Sequence, residues 1–422
     1  MTAKTSHSHQ PSVERSRWFW LAFFVLCLLA GGARFFALDW DQSKHLHPDE
    51  RYLTMVAGTI RFPSETAAPS EEATCQTLGH CLALYWDTEA SPLNPANYDQ
   101  FASFVYGTLP IFAARAVGLG LDAMVCENGL LSELSECVPG TYVGYGGVHL
   151  VGRALSALTD IATLIGLILL ARKIWGERVS LLAGGLYAFA VLPIQHAHFF
   201  VVDSFATVFV VWTLLLCLYA LRDRAPGLVV LAGVATGLAV SSKISVWPIA
   251  GVVGLTGILV EGGRGQLSFE FSYRRMGFLV LSGIAAALTF RSAQPYAFSG
   301  PGFLGIRPNP QWVSTMKNIH RMMSGLQDVP FGHQWTARAP IFFPLRNMVF
   351  WGMGLPLGIA AWIGWAWIGG RWIRQRGGFD LMLIPWIWGT VFFLYQSTQW
   401  VKSMRYLLPV YPVFALFAAA FL

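Results

Sequence analysis

Long apolar runs separated by short polar breaks dominate this chain. Runs able to cross a bilayer occur at about 18–38, 147–171, 180–195, 204–221, 227–242, 244–260, 277–293, 345–369, 380–396 and 406–422. Each approaches the roughly 20 residues that a helix needs to span the hydrocarbon core. The pattern predicts an all-α polytopic membrane protein of about ten transmembrane helices. The stretch 101–118, FASFVYGTLPIFAARAVG, is apolar too. Counted as a span, it would put four later basic loops outside: ARKIWGER, LRDRAPG, EGGRGQ…SYRR and GGRWIRQRGG. Basic loops belong inside, so 101–118 is expected to lie in the outer interface or to re-enter it. Lys4, Arg15 and Arg17 hold the N-terminus inside, and no small-residue cleavage site follows the first run, which reads as a retained span.

Two long polar segments then fall outside, 39–146 and about 294–344, as parts of a single membrane domain covering 1–422. The last run stops at Leu422 with no polar flank, so the native chain is expected to continue.

Composition agrees with the pattern. Only 12% of residues are charged and 55% are hydrophobic, against about a quarter charged in soluble domains. The net charge of +6 sits in short clusters between apolar runs and does not point to nucleic acid. Cys27 and Cys217 lie inside apolar runs, where cysteine packs as a small hydrophobe. Cys75, Cys81, Cys126 and Cys137 share the first polar segment, which suits two disulfides on an oxidising face. Four cysteines allow three connectivities. Closure within each near pair, Cys75–Cys81 and Cys126–Cys137, costs least in chain entropy. No CxxC spacing supports zinc.

The candidate chemistry gathers at the outer ends of the spans. In HLHPDERY, Pro48 suits the first turn of a helix, and Asp49 and Glu50 fall in that turn, where the dipole favours acids. As mere helix-start decoration the pair would need no function; beside a membrane exit it can supply a base and its neighbour. A second cluster, QHAHFFVVD, contains His196, His198 and Asp203. His47, Asp49, His198 and Asp203 include enough imidazole and carboxylate for a divalent cation, magnesium or manganese, though no spacing specifies one. Arg153, Lys243, Arg291 and Arg405 lie at outer span ends, against the topological bias. They either snorkel to lipid headgroups or hold a donor phosphate. A sugar on a lipid phosphate has a good leaving group, so one base and several cations suffice; glycoside hydrolysis needs two carboxylates.

These residues resemble the polytopic glycosyltransferases of the GT-C fold that use polyprenyl-phosphate sugars, especially the protein O-mannosyltransferase and lipid A aminoarabinose transferase group. The resemblance rests on HPDERY, LNPANYDQFASFVYGTLPIF, GRALSALTDIATL, QHAHFFVVDSFATVF, GLAVSSKISV and KSMRYLLPVYPVFAL, in that order along most of the chain. It implies a GT-C-like bundle with interfacial helices in the first outer loop. Asp49 would be the base and Glu50 its neighbour, Asp203 the acid of the second outer loop, and Arg153 and Lys243 basic positions near the lipid phosphate. The donor would be a polyprenyl-phosphate-linked sugar. The acceptor would be a hydroxyl on protein, lipid or polysaccharide, met at the outer face of the cell membrane. Relatives acting on lipid A carry an acidic-basic pair before the proline preceding the interfacial helix, where this chain reads SPLNPANYD. A transporter or lipid flippase is the alternative, but transporters place ionisable residues at mid-membrane on broken helices. A partner-binding assembly protein would leave the acidic pair and outer cations unexplained.

Overall fold

The computed structural model describes residues 13–65, 75–127, 137–262, 265–374 and 378–422. Lys4, Arg264, Arg376 and the Arg15 side chain, which entered the charge-bias argument, lie outside the described residues. Helices α1 (Val13–Phe35), α2 (Pro48–Thr59), α3 (Leu78–Trp86) and α4 (Thr108–Leu121) precede the long α5 (Val148–Trp175). Then follow α6 (Glu177–Ala188), α7 (Val191–Ala197), α8 (Val202–Arg222), α9 (Leu228–Ser242), α10 (Ile249–Ile258) and α11 (Tyr273–Ala293). The remainder comprises α12 (Pro310–Met323), α13 (Phe342–Asn347), α14 (Leu355–Arg374), α15 (Leu383–Ser397) and α16 (Tyr411–Phe421). Two short antiparallel hairpins pair Leu259–Glu261 with Leu267–Phe269 and Phe298–Ser299 with Arg307–Pro308.

Six described helical segments are long and apolar enough to cross a membrane, or seven if the bent pair α6–α7, kinked by 61°, is one span. That is fewer than the ten expected. The run 227–260 breaks at Lys243 into two short helices, and α15 has 15 residues. Helix α14 has the length, but its tryptophans and glycines dilute its apolarity.

The small residues of α9 set the packing direction. A Cβ at Gly233 would meet the Ser282 carbonyl at 2.2 Å, and one at Gly237 would meet that of Ala286 at 2.6 Å. Rising numbers on both helices mean that α9 and α11 run parallel, backbone to backbone, as small residues allow in membranes. Both therefore end where α5 and α8 begin. Helix α4 lies across this same end. Its start meets the ends of α9 and α11: the Thr108 hydroxyl donates to the Ala293 carbonyl at 2.5 Å, and a Cβ at Gly107 would strike Ser241 O at 1.9 Å. At its far end a Cβ at Gly118 would meet Tyr142 O at 2.6 Å, and Asp122 accepts from the Tyr142 N–H at 3.1 Å, just before α5. With residues 122–126 it is long and apolar enough to span, yet both of its ends sit at one end of the bundle. We refer to this as the loop end.

Residues of 39–146 build their own apolar core on the loop end. Leu53 and Val56 of α2, Ile60 just after it, and Ile111 and Phe112 of α4 pack with Phe101, Phe200 and Tyr296. Two disulfides close this layer, Cys75–Cys81 and Cys126–Cys137, the near pairs that chain entropy favours. The main core lies deeper, among α5, α6, α8, α14, α15 and α16.

Inside the bundle Arg34, at the end of α1, is buried against Asp160 of α5 at 2.5 Å. Asp160 also accepts from the Tyr187 hydroxyl, and Arg34 donates to the Ala188 carbonyl at 3.0 Å. Ionisable residues are tolerated at such depth only when paired, and this pair ties α1 to α5 and α6. Asp160→Asn should leave Arg34 charged and unpaired, costing about 3–5 kcal/mol. Its unfolding midpoint in detergent should fall clearly; an unchanged midpoint would show that α1 is held by other contacts. Non-reducing peptide mapping should recover Cys75 linked to Cys81 and Cys126 linked to Cys137, and free thiols at all four would refute both pairings.

Candidate active site

The acidic pair of HPDERY opens α2. His47 is extended (φ −80, ψ 122), Pro48 occupies the first turn, and the His47 Nδ1 accepts from the Glu50 N–H at 3.3 Å. Burial pushes His47 below the ordinary histidine range, against the pull of Asp49. A neutral ring that accepts at Nδ1 carries its proton on Nε2.

Asp49 and Glu50 are neighbours with different surroundings. Glu50 is wholly buried: Oε1 accepts from Arg153 Nε at 2.7 Å and from the Phe200 N–H at 2.8 Å, and Oε2 accepts from Arg153 Nη2 at 2.8 Å. Arg153 also donates to Asp41 at 2.9 Å and to the Leu38 carbonyl at 2.9 Å, and faces the Trp40 ring at 5.6 Å. Burial would raise Asp41, but the Leu46 N–H and the Arg153 guanidinium hold it below the usual carboxylate range. Phe200 reaches Glu50 because Gly152 lets its ring close on α5; a Cβ there would lie 2.1 Å from the ring.

Asp49 turns the other way. It pairs with Arg405 through one guanidinium nitrogen, Nη1, and faces Tyr106, whose phenol burial and the Asp49 charge push well above the ordinary tyrosine range. At the start of α8, buried Asp203 pairs with Lys243 at 2.5 Å. Tyr406 joins the two pairs: its ring lies 4.2 Å from Lys243 Nζ and 5.2 Å from the Arg405 guanidinium.

Arg405 also lines a cleft of about 360 Å³, with His47, His196, Gln195, Asn347 and Lys402 as other polar walls and Leu192, Phe199, Trp335, Phe343 and Met404 as apolar ones. Lys402 is nearly buried, donates to the Trp400 carbonyl at 3.1 Å, and has no carboxylate partner among the described residues. Desolvation accordingly pushes it below the ordinary lysine range. His196 Nδ1 and Trp335 Nε1 are buried without a hydrogen-bond partner.

Two of the expected phosphate contacts already have partners within the protein. Arg153 is consumed by Glu50, Asp41 and Leu38 and has no exposed surface. Arg291 is buried too; it donates to the carbonyls of Pro295, Gly302 and Phe303 and packs 4.7 Å from the Trp86 ring, which makes it the organiser of the 295–303 loop. Glu50 is likewise part of the scaffold. The expected cation set does not fit: Asp49 and Asp203 are each ion-paired, and both His198 nitrogens face carbonyls, Ile194 at 2.8 Å and Phe36 at 2.9 Å. Among the described residues the one grouping of three potential ligands is Asp122 with Cys126 and Cys137, whose sulfurs are joined to each other. Sequence reasoning passed over Tyr106, Lys402 and Tyr406. The KxxRY spacing of Lys402, Arg405 and Tyr406 was the available signal.

Residues 144–290, from the threshold of α5 to near the end of α11, match the family model described as dolichyl-phosphate-mannose-protein mannosyltransferase. The oligosaccharyltransferase of Archaeoglobus fulgidus in its apo form superposes with a TM-score of 0.59 at 15% identity, over 97% of this chain and 50% of that one. In complex with an inhibitory peptide and a dolichol-phosphate, that archaeal enzyme, AglB, gives 0.55 at 15% identity over 97% and 50%. ArnT from Cupriavidus metallidurans in the apo state gives 0.51 at 15% identity over 96% and 60%. The fold is GT-C. The chain spans about half the length of the archaeal GT-C enzyme and 60% of ArnT, and no functionally curated protein matches it by sequence.

In this GT-C chain Glu50→Gln and Arg153→Ala should behave as folding variants, because each leaves a buried charge without its partner, a loss of about 3–5 kcal/mol. Both should lower yield and unfolding midpoint; wild-type midpoints with altered turnover would return these residues to a direct role.

Proposed function

We propose that the protein moves a sugar from a polyprenyl-phosphate carrier to an acceptor hydroxyl in the cleft at the loop end, with Asp49 as base. One observation carries this reading: within a GT-C fold, the cleft holds a desolvated lysine with no counter-anion, Lys402, beside the arginine that pairs with Asp49. A buried cation that has a carbonyl but no anion beside it is costly, and an anionic ligand would offset that cost.

The acceptor oxygen bonds to the sugar's anomeric carbon from the face opposite the phosphate, and its proton passes to Asp49. The bond from that carbon to the phosphate oxygen breaks, its electron pair leaves with the phosphate, and configuration inverts. Because the departing group is already a stable anion, no general acid is needed. Its charge grows as a diester becomes a monoester, so Lys402 and Arg405 bind the products' side of the reaction more strongly than the ground state. The unpartnered His196 and Trp335 nitrogens, with Gln195 and Asn347, offer hydrogen bonds to sugar hydroxyls, which buried polar groups require. Phe199, Trp335 and Phe343 supply the apolar wall. The acceptor belongs to protein, lipid or polysaccharide, and the loop end would face outward across the cell membrane, as the basic loops imply.

Purified protein given polyprenyl-phosphate hexoses and pentoses should release free polyprenyl phosphate with one of them; none with any would refute the reaction class. Asp49→Asn keeps the side chain's size but cannot take the proton, and should cut turnover by about 10²–10⁴-fold in a protein that remains folded. Near-normal turnover would remove Asp49 as base. Lys402→Gln should lower kcat together with kcat/KM, because the charge that the lysine meets grows as the phosphate departs, and unchanged kinetics would place the phosphate elsewhere.

A further inference from the structure

The two carboxylates of HPDERY are paired with arginines in opposite manner. Glu50 meets Arg153 through two bonds, with both side chains at 0% exposure. Asp49 meets Arg405 through a single nitrogen, with side chains 17% and 19% exposed. The first pair cannot open without stranding charge in the interior. The second lies at the wall of a cleft, where water or an incoming anion can take over either partner.

A base that is already bound to a guanidinium is a poor base. Arg405 uses one of its five N–H donors on Asp49, and its guanidinium contributes to the cleft wall beside Lys402. A lipid phosphate held by Lys402 would therefore offer Arg405 a second anion, whose two non-bridging oxygens can meet both arms of the guanidinium where Asp49 meets one. Tyr406, packed on both Lys243 and Arg405, gives the guanidinium a face to stay against.

We propose that Arg405 masks Asp49 in the free enzyme and transfers to the donor phosphate on binding, so that the base is released only when a donor is in place. The inference rests on the glycosyl-transfer reading above. It makes binding ordered, donor before acceptor, and it shields an unoccupied site from deprotonating hydroxyls to no purpose. It also has a thermodynamic consequence. While Asp49 holds Arg405, the phosphate-competent state is a minor one, and apparent donor affinity is reduced by that fraction.

The experiment measures binding of undecaprenyl phosphate, which carries no sugar, to the purified full chain in detergent, with undecaprenol as control. Asp49→Asn should bind the phosphate more tightly, by about tenfold if the competent state is a tenth of the population. Arg405→Gln should bind it more weakly, and Asp49→Asn added to Arg405→Gln should bring no further gain. Should Arg405→Gln fail to fold, Arg405→Lys takes its place, and the gain from Asp49→Asn should shrink in that background. Unchanged affinity in Asp49→Asn would overturn the switch, since Arg405 would not then be contested. An equal gain with and without Arg405 would also overturn it, as a mere loss of negative charge. If the wild-type chain does not prefer the phosphate over the alcohol, the donor reading itself fails and the switch with it.

Discussion

The buried pair of Glu50 and Arg153 is the constraint on which the site depends. Both charges are withdrawn from water, so each must find its compensation in the other and in the groups around them: Asp41, the Leu38 carbonyl and the Phe200 N–H. Such an arrangement adds little net stability over an apolar one, but it admits few alternative geometries, because any shift strands a charge. It joins the segment after α1, the first turn of α2, the first turns of α5 and the residue that leads into α8. The residues next to two of these pieces, His47 before α2 and Phe199 before α8, line the cleft. With Glu50 directed inward, the roughly 100° step between successive helix residues directs Asp49 elsewhere, toward Arg405.

The carboxylates and cations of the loop end therefore divide by burial. Where the pair is sealed, as with Glu50 and Arg153 or Arg34 and Asp160, it joins helices. Where one side meets the cleft, as with Asp49 and Arg405, the pair is available for exchange. Lys402 adds a cation of the cleft wall that has no acid beside it among the described residues. An anionic ligand would satisfy that residue and compete for Arg405 together, which is why the cleft, and not the most heavily charged part of the chain, is the candidate site.

The layer formed by 39–146 also explains how titratable groups can sit beside a membrane span without disorder. Its apolar core of α2 and α4 residues lies on the ends of α5, α9 and α11, and two disulfides close its loops. Helix α4 is apolar because it is covered on one side by this layer and rests on the bundle end. Apolarity alone would have classed it with the spans. Its two ends, against Ala293 and Tyr142, show what hydropathy does not.

Much of this was legible in the residues. Hydrophobic run length and basic-loop bias depend on local composition, so they identified a polytopic helical protein, and the order of short motifs pointed to GT-C. Near cysteine pairs follow from chain entropy, and His47, Pro48, Asp49 and Glu50 form a helix start through contacts within one turn. Other features were beyond local reading. Whether Arg153 meets a phosphate or a glutamate depends on Glu50, 103 positions away; Asp49 and Arg405 are 356 apart. Sequence placed all four cations at the loop end but could not say which already had partners. Ion pairing is decided by distance and desolvation across the fold, and only the packed helices set those two quantities.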